Sequence, residues 1–180
     1  MIKEQFMKIK VLVLMGLLSV GIVPKLWAKD LSERIGAGFN SQIGINQHLD
    51  AASARYWFNK DMGIQGDFAF LNFSPNNGSS QTSFGLGGKF LYNVMEEANM
   101  NLYTGAGLYV FNQPVSTATG VEMKTGFSLG ALGGIEFFFQ GLPNLGFNLE
   151  LDLGVKYLDG YGTAFGISAD TINAGIHYYF

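Results

Sequence analysis

Residues 146–158 alternate between apolar and polar side chains, and this alternation constrains the fold more than any other feature of the chain. One set of alternate positions is entirely apolar: Phe147, Leu149, Leu151, Leu153, Val155 and Tyr157. The positions between them are polar, charged or glycine. In a helix the apolar residues would be spread around the axis, whereas in a strand they lie on one face. The segment is therefore predicted to be a β-strand with one apolar and one polar face.

The same period of two recurs in eight segments, which are bounded by turn residues: 34–45, 51–58, 62–73, 84–95, 101–111, 126–139, 146–158 and 170–180. The apolar face comprises every second position of 35–45, 52–58, 62–70, 84–92, 102–110, 127–137, 147–157 and 172–180; only Ser41 and Thr104 on it are polar, and no residue is charged. The positions between them carry seven charged residues: Arg55, Asp67, Lys89, Glu136, Glu150, Asp152 and Lys156. A Lys or Arg facing lipid near mid-membrane costs roughly 2 to 4 kcal/mol, so a membrane barrel requires this segregation.

The predicted fold class is thus all-β, an eight-stranded antiparallel up-and-down transmembrane β-barrel. Eight strands enclose a space that side chains can fill, so the seven inward charges are expected to form an ion-paired network in the lumen. Outward aromatic residues are predicted to form two girdles at the membrane interfaces. One girdle comprises Tyr56, Phe58, Phe90, Tyr92, Phe137, Phe147, Tyr178 and Phe180, and the other comprises Phe68, Phe70, Phe84, Phe127 and Tyr157.

The first 28 residues have the pattern of a cleavable helical signal peptide. Lys8 and Lys10 precede an apolar run over 11–23, and Ala28 ends a plausible cleavage site, although Leu26 replaces the usual small residue. The run is shorter than the roughly 18 residues of a membrane helix. Residues 29–180 are then one outer-membrane barrel domain. Met7 is an alternative start.

Composition excludes several classes of protein. The net charge is −3 and becomes more negative when the lysine-rich segment 1–28 is removed, so no nucleic-acid partner is expected. The absence of cysteine excludes disulfides and thiolate metal sites. His177 is interpreted as a packed lumen residue because no second His has a chelating spacing to it. No metal and no cofactor is predicted.

Connection lengths predict the orientation in the membrane. The connections 59–61, 96–99 and 140–144 are short and are interpreted as periplasmic turns. The connections 74–83, 112–125 and 159–169 are longer and are interpreted as outer loops, while the first outer connection, 47–50, is short. An even number of strands places both termini in the periplasm. The outer loops could hold a surface ligand.

The C-terminal residues Ile176, Tyr178 and Phe180 resemble the terminal signature of bacterial outer-membrane barrels, an aromatic last residue preceded by apolar residues at alternate positions. The whole pattern resembles small eight-stranded barrels of the OmpA-domain and OmpX type. This resemblance implies that the barrel-assembly machinery is a partner during biogenesis, beside the outer-membrane lipids. We expect a monomer with a structural or surface-interaction role in the cell envelope.

Three alternatives stay open at this point. The lumen could be a narrow, porin-like path for ions or small solutes. The chain could be a lipid-A-modifying enzyme that uses His48 with Asp50 and Ser53, although no nucleophile motif surrounds the serine and we predict no catalytic residues. It could also be a soluble, lipocalin-like barrel, in which the apolar face would point inward.

Overall fold

The computed structural model of the chain describes residues 29–41, 49–74, 76, 80–118, 120–166 and 172–180. The predicted signal peptide, 1–28, lies outside the described residues. The strands are β1 Ile35–Asn40, β2 Ala51–Trp57, β3 Met62–Phe73, β4 Gln81–Glu97, β5 Met100–Thr117, β6 Gly120–Phe138, β7 Leu145–Leu158, β8 Gly162–Gly166 and β9 Ile172–Tyr179. Within these ranges no helix is long and apolar enough to cross a membrane.

The strands close into a barrel. Each strand from β1 to β7 pairs antiparallel with the next, and β1 also pairs with β9. The eighth position is shared, because β9 pairs with residues 145–151 of β7 and β8 pairs with residues 154–158 of the same strand. The prediction of an eight-stranded antiparallel barrel is confirmed.

We name the two ends of the barrel by their connections. The turn end carries the connections that follow β2, β4 and β6, and the loop end carries those that follow β1, β3, β5 and β7. The predicted boundaries of β2, β3 and β7 agree with the structure within one residue. The predicted first segment, 34–45, contains β1, and its residues 42–45 lie outside the described residues.

The prediction of a long loop over 112–125 is wrong. Both strands of this hairpin continue beyond the predicted boundaries, and Asn112 pairs with Thr125 while Gln113 pairs with Lys124. Likewise β4 begins at Gln81, inside the predicted loop 74–83, and β8 lies inside the predicted loop 159–169. A strand that projects past the lipid needs no apolar face, so the alternation of apolar and polar residues does not mark the outer ends of β4, β5 and β6.

The outward face of the barrel is apolar and exposed. Phe39 is 65% exposed, Leu86 60% and Leu129 56%. Outward aromatic residues contact each other near both ends, with ring centroids 5.2 Å apart for Tyr178 and Phe180 and 5.4 Å apart for Phe127 and Tyr157. A water-soluble monomer rarely exposes a continuous apolar surface of this kind. The arrangement is the reverse of the lipocalin alternative and suits lipid.

Candidate functional site

The interior of the barrel holds the charged residues predicted from the sequence. Arg55, Asp67, Lys89, Glu136 and Glu150 are buried. Asp152 and Lys156 are half-buried and lie on the same inward face. Each reaches the lumen because it occupies the parity opposite to the exposed apolar residues of its strand.

Arg55 lies at the centre of the network and contacts both buried glutamates. Its Nη1 is 3.2 Å from Glu136 Oε2, and its Nη2 is 3.2 Å from Glu150 Oε1. Lys89 Nζ contacts Glu150 Oε2 from the other side. Two cations thus meet two carboxylates, and this part of the network is electrically balanced. Balance is required here, because a buried charge without a partner is strongly destabilising.

A neutral residue, Gln65, extends the network to Asp67. Arg55 Nε donates to Gln65 Oε1 at 2.8 Å, and Gln65 Nε2 donates to Asp67 Oδ1 at 2.8 Å. The hydroxyl of Tyr109 donates to Asp67 Oδ2, also at 2.8 Å. The side chain of Asp67 is therefore held by two neutral donors, one of which links it to Arg55.

Tyrosine hydroxyls complete the shells of both glutamates. Tyr103 OH donates to Glu150 Oε1 at 2.6 Å, and Tyr179 OH donates to the Glu136 carboxylate at 2.9 and 3.0 Å. The guanidinium of Arg55 also lies 5.2 Å from the centre of the Tyr103 ring. Gln65 and these tyrosines were not among the predicted site residues because they are uncharged, although their inward parity marks them.

Two apolar clusters enclose the ionic network. The turn-end cluster consists of Leu31, Trp57, Leu91, Tyr103, Leu132, Phe138 and Tyr179. The loop-end cluster consists of Leu49, Ala51, Ala69, Phe111, Val115 and Leu158, with Tyr109 packed against it. The lumen is therefore filled in three layers along the barrel axis, apolar, ionic and apolar.

Inward aromatic side chains lie against glycines on the neighbouring strand. Five such pairs are directly opposite in the register: Tyr179 with Gly36, Trp57 with Gly63, Tyr109 with Gly87, Tyr103 with Gly134 and Phe111 with Gly126. At each of these glycines a Cβ atom would come within 2.8 Å of the opposite ring. The glycine runs of the sequence thus make room for large side chains inside a narrow barrel.

One region of the ionic layer is not filled by side chains. Lys89 begins a cross-strand row of inward residues that continues only with glycine, namely Gly107, Gly130, Gly154 and Gly166. A cavity of about 150 Å³ lies against this row and is also lined by Tyr109, Ser128, Asp152 and Lys156. This volume is large enough for several water molecules.

Ser53, the candidate nucleophile of the enzyme alternative, lies in the interior of the barrel. Its hydroxyl lies 2.8 Å from His177 Nε2, and both side chains are buried in the interior. Asp50 is exposed, and His48 lies outside the described residues. Within the described ranges no group of three or more His, Cys, Asp or Glu side chains could hold a metal ion.

The residues of the C-terminal signature point outward at the turn end. Tyr178 is 46% exposed and Phe180 73%, and Ile176 is half-buried. Their strand, β9, lies between β1 and β7 and so closes the barrel. The signature therefore lies on the lipid-facing side of the closing strand.

The barrel is similar to solved structures of bacterial outer-membrane proteins. The N-terminal β-barrel domain of Pseudomonas aeruginosa OprF superimposes with a TM-score of 0.54 at 13% identity, over 83% of this chain and 98% of that domain. The two share one fold. At this identity the likeness concerns the architecture and not the ligand or role.

The attachment invasion locus protein Ail of Yersinia pestis superimposes less well. Its TM-score is 0.41 at 19% identity, over 82% of this chain and 95% of Ail. The structure of Ail in complex with the heparin analogue sucrose octasulfate has a TM-score of 0.45 at 18% identity. This superposition covers 82% of this chain and 96% of Ail. No protein-family model matches the chain, and the search of curated proteins finds no match either.

Proposed function

We propose that the protein is an integral outer-membrane barrel with a closed interior, and that its role is structural or is exerted by the surface of its loop end. The observation that carries this proposal is the three-layered filling of the lumen. Along the barrel axis, the side chains of the ionic layer and of the two apolar clusters occupy the space that a water-filled channel would need. The protein then contributes to envelope integrity or to adhesion.

The loop end supplies the surface that a ligand would contact. The β5–β6 hairpin projects beyond the closed barrel, and Tyr161 OH donates to Ser116 O at 3.4 Å, which links the hairpin to the turn after β7. Val121 and Tyr161 expose at least half of their surface. Exposed aromatic and apolar side chains on rigid strands suit contact with another macromolecule.

A narrow pore is the second candidate, and the cavity beside the glycine row is the observation that favours it. We expect the protein, purified from membranes and inserted into a planar lipid bilayer, to give no steady conductance steps. The reason is that each end of the cavity layer is covered by an apolar cluster. Reproducible steps that scale with protein concentration would contradict the closed interior and favour the pore.

The orientation in the membrane can be tested with single cysteines, because the natural chain has none. Val121→Cys places a thiol at the loop end, and Lys60→Cys places one at the turn end; both positions are exposed. We expect a membrane-impermeant maleimide to label Val121→Cys on intact cells and to label Lys60→Cys only after the cells are broken. The reverse pattern would contradict the proposed orientation, and equal labelling in a soluble fraction would contradict the membrane location.

A further inference from the structure

The residues before β1 fold back into the turn end of the barrel. Leu31 belongs to no strand, yet it is only 2% exposed and packs in the turn-end cluster with Trp57, Leu91 and Phe138, among others. Because Leu31 is not part of any strand, strand pairing does not explain its burial. Its side chain closes the turn end of the lumen, and we call it the stopper.

This segment, Lys29–Arg34, is held by several hydrogen bonds at its Arg34 end. Arg34 Nη2 donates to Tyr179 O at 2.7 Å and to Asn144 Oδ1 at 3.0 Å, and Arg34 Nε donates to Phe180 O at 3.1 Å. These bonds join the start of β1 to the end of β9 and to the turn before β7. Charge-assisted bonds to three acceptors hold Arg34 in place.

The Lys29 end of the segment makes fewer and weaker contacts. The Lys29 N–H donates to Glu97 O at 3.2 Å, and the Lys29 amine lies 5.3 Å from the centre of the Phe138 ring. Partial burial lowers the pKa of this amine below its ordinary value, and the nearby charge of Arg34 lowers it further. One main-chain bond and one cation–π contact are worth little compared with the bonds at Arg34.

Glu33 provides the bend between the two ends. Its φ is +59°, in the left-handed region that non-glycine residues seldom adopt, and its N–H donates to Trp57 O at 2.8 Å. This conformation turns the chain so that Leu31 points back into the lumen. Strain of this kind persists only where surrounding contacts enforce it.

We propose that Lys29–Arg34 is a hinged strap that closes the turn end of the lumen, with Arg34 as its fixed point, Glu33 as its hinge and Leu31 as its stopper. Release of Lys29 and Leu31 admits water and small water-soluble molecules to the turn-end side of the ionic network. This inference rests on the closed interior proposed above. It adds that the closure at this end is reversible, because it depends on one buried side chain and a few bonds.

The test places a single cysteine under the stopper. Leu91 is fully buried, belongs to the turn-end cluster and does not line the cavity beside the glycine row. The rate at which Leu91→Cys reacts with a small cationic methanethiosulfonate is measured in detergent-purified protein. We expect slow reaction with the strap intact, and an acceleration of at least about tenfold when Leu31→Ala removes the stopper, since truncation of a buried leucine weakens local closure.

Substitutions at Glu33 test the hinge while the stopper stays intact. Glu33→Pro fixes φ near −65° and removes the N–H that donates to Trp57 O, so it should accelerate the reaction as Leu31→Ala does. Glu33→Gly keeps the N–H and tolerates positive φ, so it should leave the reaction slow. Leu49→Ala, in the loop-end cluster, should also leave it slow because the ionic layer lies between.

Heat-modifiable gel mobility verifies that each variant is folded, and Trp57→Cys, in the same cluster, replaces Leu91→Cys if the latter is not. Fast reaction with the strap intact would overturn the proposal, and so would slow reaction in folded Leu31→Ala and Glu33→Pro proteins. Conductance of the unaltered protein would instead contradict the closed interior. The two failures are therefore distinguishable.

Discussion

Replacing Arg55 by methionine is expected to lower the free energy of unfolding by about 3–5 kcal/mol, because it leaves buried carboxylates without their shared cation. In this variant Glu150 still has its ion pair with Lys89, whereas Glu136 has only the hydrogen bond from the hydroxyl of Tyr179. Gln65 Oε1 also loses its donor from Arg55. The measurement is urea unfolding in detergent micelles, followed by gel mobility and by the fluorescence of the fully buried Trp57.

The matched control removes the unpaired carboxylate as well. In Arg55→Met combined with Glu136→Gln, the remaining buried pair of Lys89 and Glu150 is balanced, so we expect the double variant to recover a large part of the lost stability. Arg55→Lys should be intermediate, because a single ammonium group cannot contact both glutamates and Gln65. Full stability of Arg55→Met alone would show that the network is not ionised as described.

The second large effect is expected from one added methyl group. In Gly87→Ala the new Cβ would lie 1.9 Å from Cδ1 of Tyr109, and the nearest atoms all belong to that ring. Overpacking of this kind costs about 1–3 kcal/mol. The ring can move aside only by giving up its hydrogen bond to Asp67, and a bond to a charged group is worth about 1.5–3 kcal/mol. The same unfolding experiment measures the loss.

Gly66→Ala is the control for this prediction. Gly66 points outward on the adjacent strand, and nothing lies within 4 Å of an added Cβ. Alanine there should be neutral or stabilising by up to about 1 kcal/mol, since glycine weakens a strand interior. Tyr109→Phe removes only the hydrogen bond and so separates its contribution from overpacking. Equal stability of the two alanine variants would contradict the packing of glycines against aromatic rings.

The architecture was predictable because its main signal is local. A residue's face on a strand depends only on whether its position is odd or even, and lipid excludes charge from one face. This explains why β3 was predicted with its observed boundaries from alternation alone. It also explains the error at the β5–β6 hairpin, where the strands leave the lipid and the alternation rule no longer applies.

The partners inside the lumen were not predictable in the same way. That Arg55 would face inward followed from its parity, but its contacts with Glu136 and Glu150 depend on strands that are distant in the chain. Nothing in the uncharged side chain of Gln65 indicated that it would bridge Arg55 and Asp67. Leu31 lies outside every alternating segment, so its insertion into the lumen had no sequence signal.

The sequence was sufficient to predict that this chain forms strands, that they fill eight positions of a barrel, and which side chains turn toward lipid and which toward the interior. These properties follow from the period of two and from the cost of placing charge in hydrocarbon, and both act on each segment separately. Which inward residues meet could be read only from the assembled barrel, as in the contacts of Tyr109 with Gly87 and of Ser53 with His177. Such contacts depend on the relative shift of neighbouring strands and on the pairing of β1 with β9, and these exist only once the whole barrel has closed.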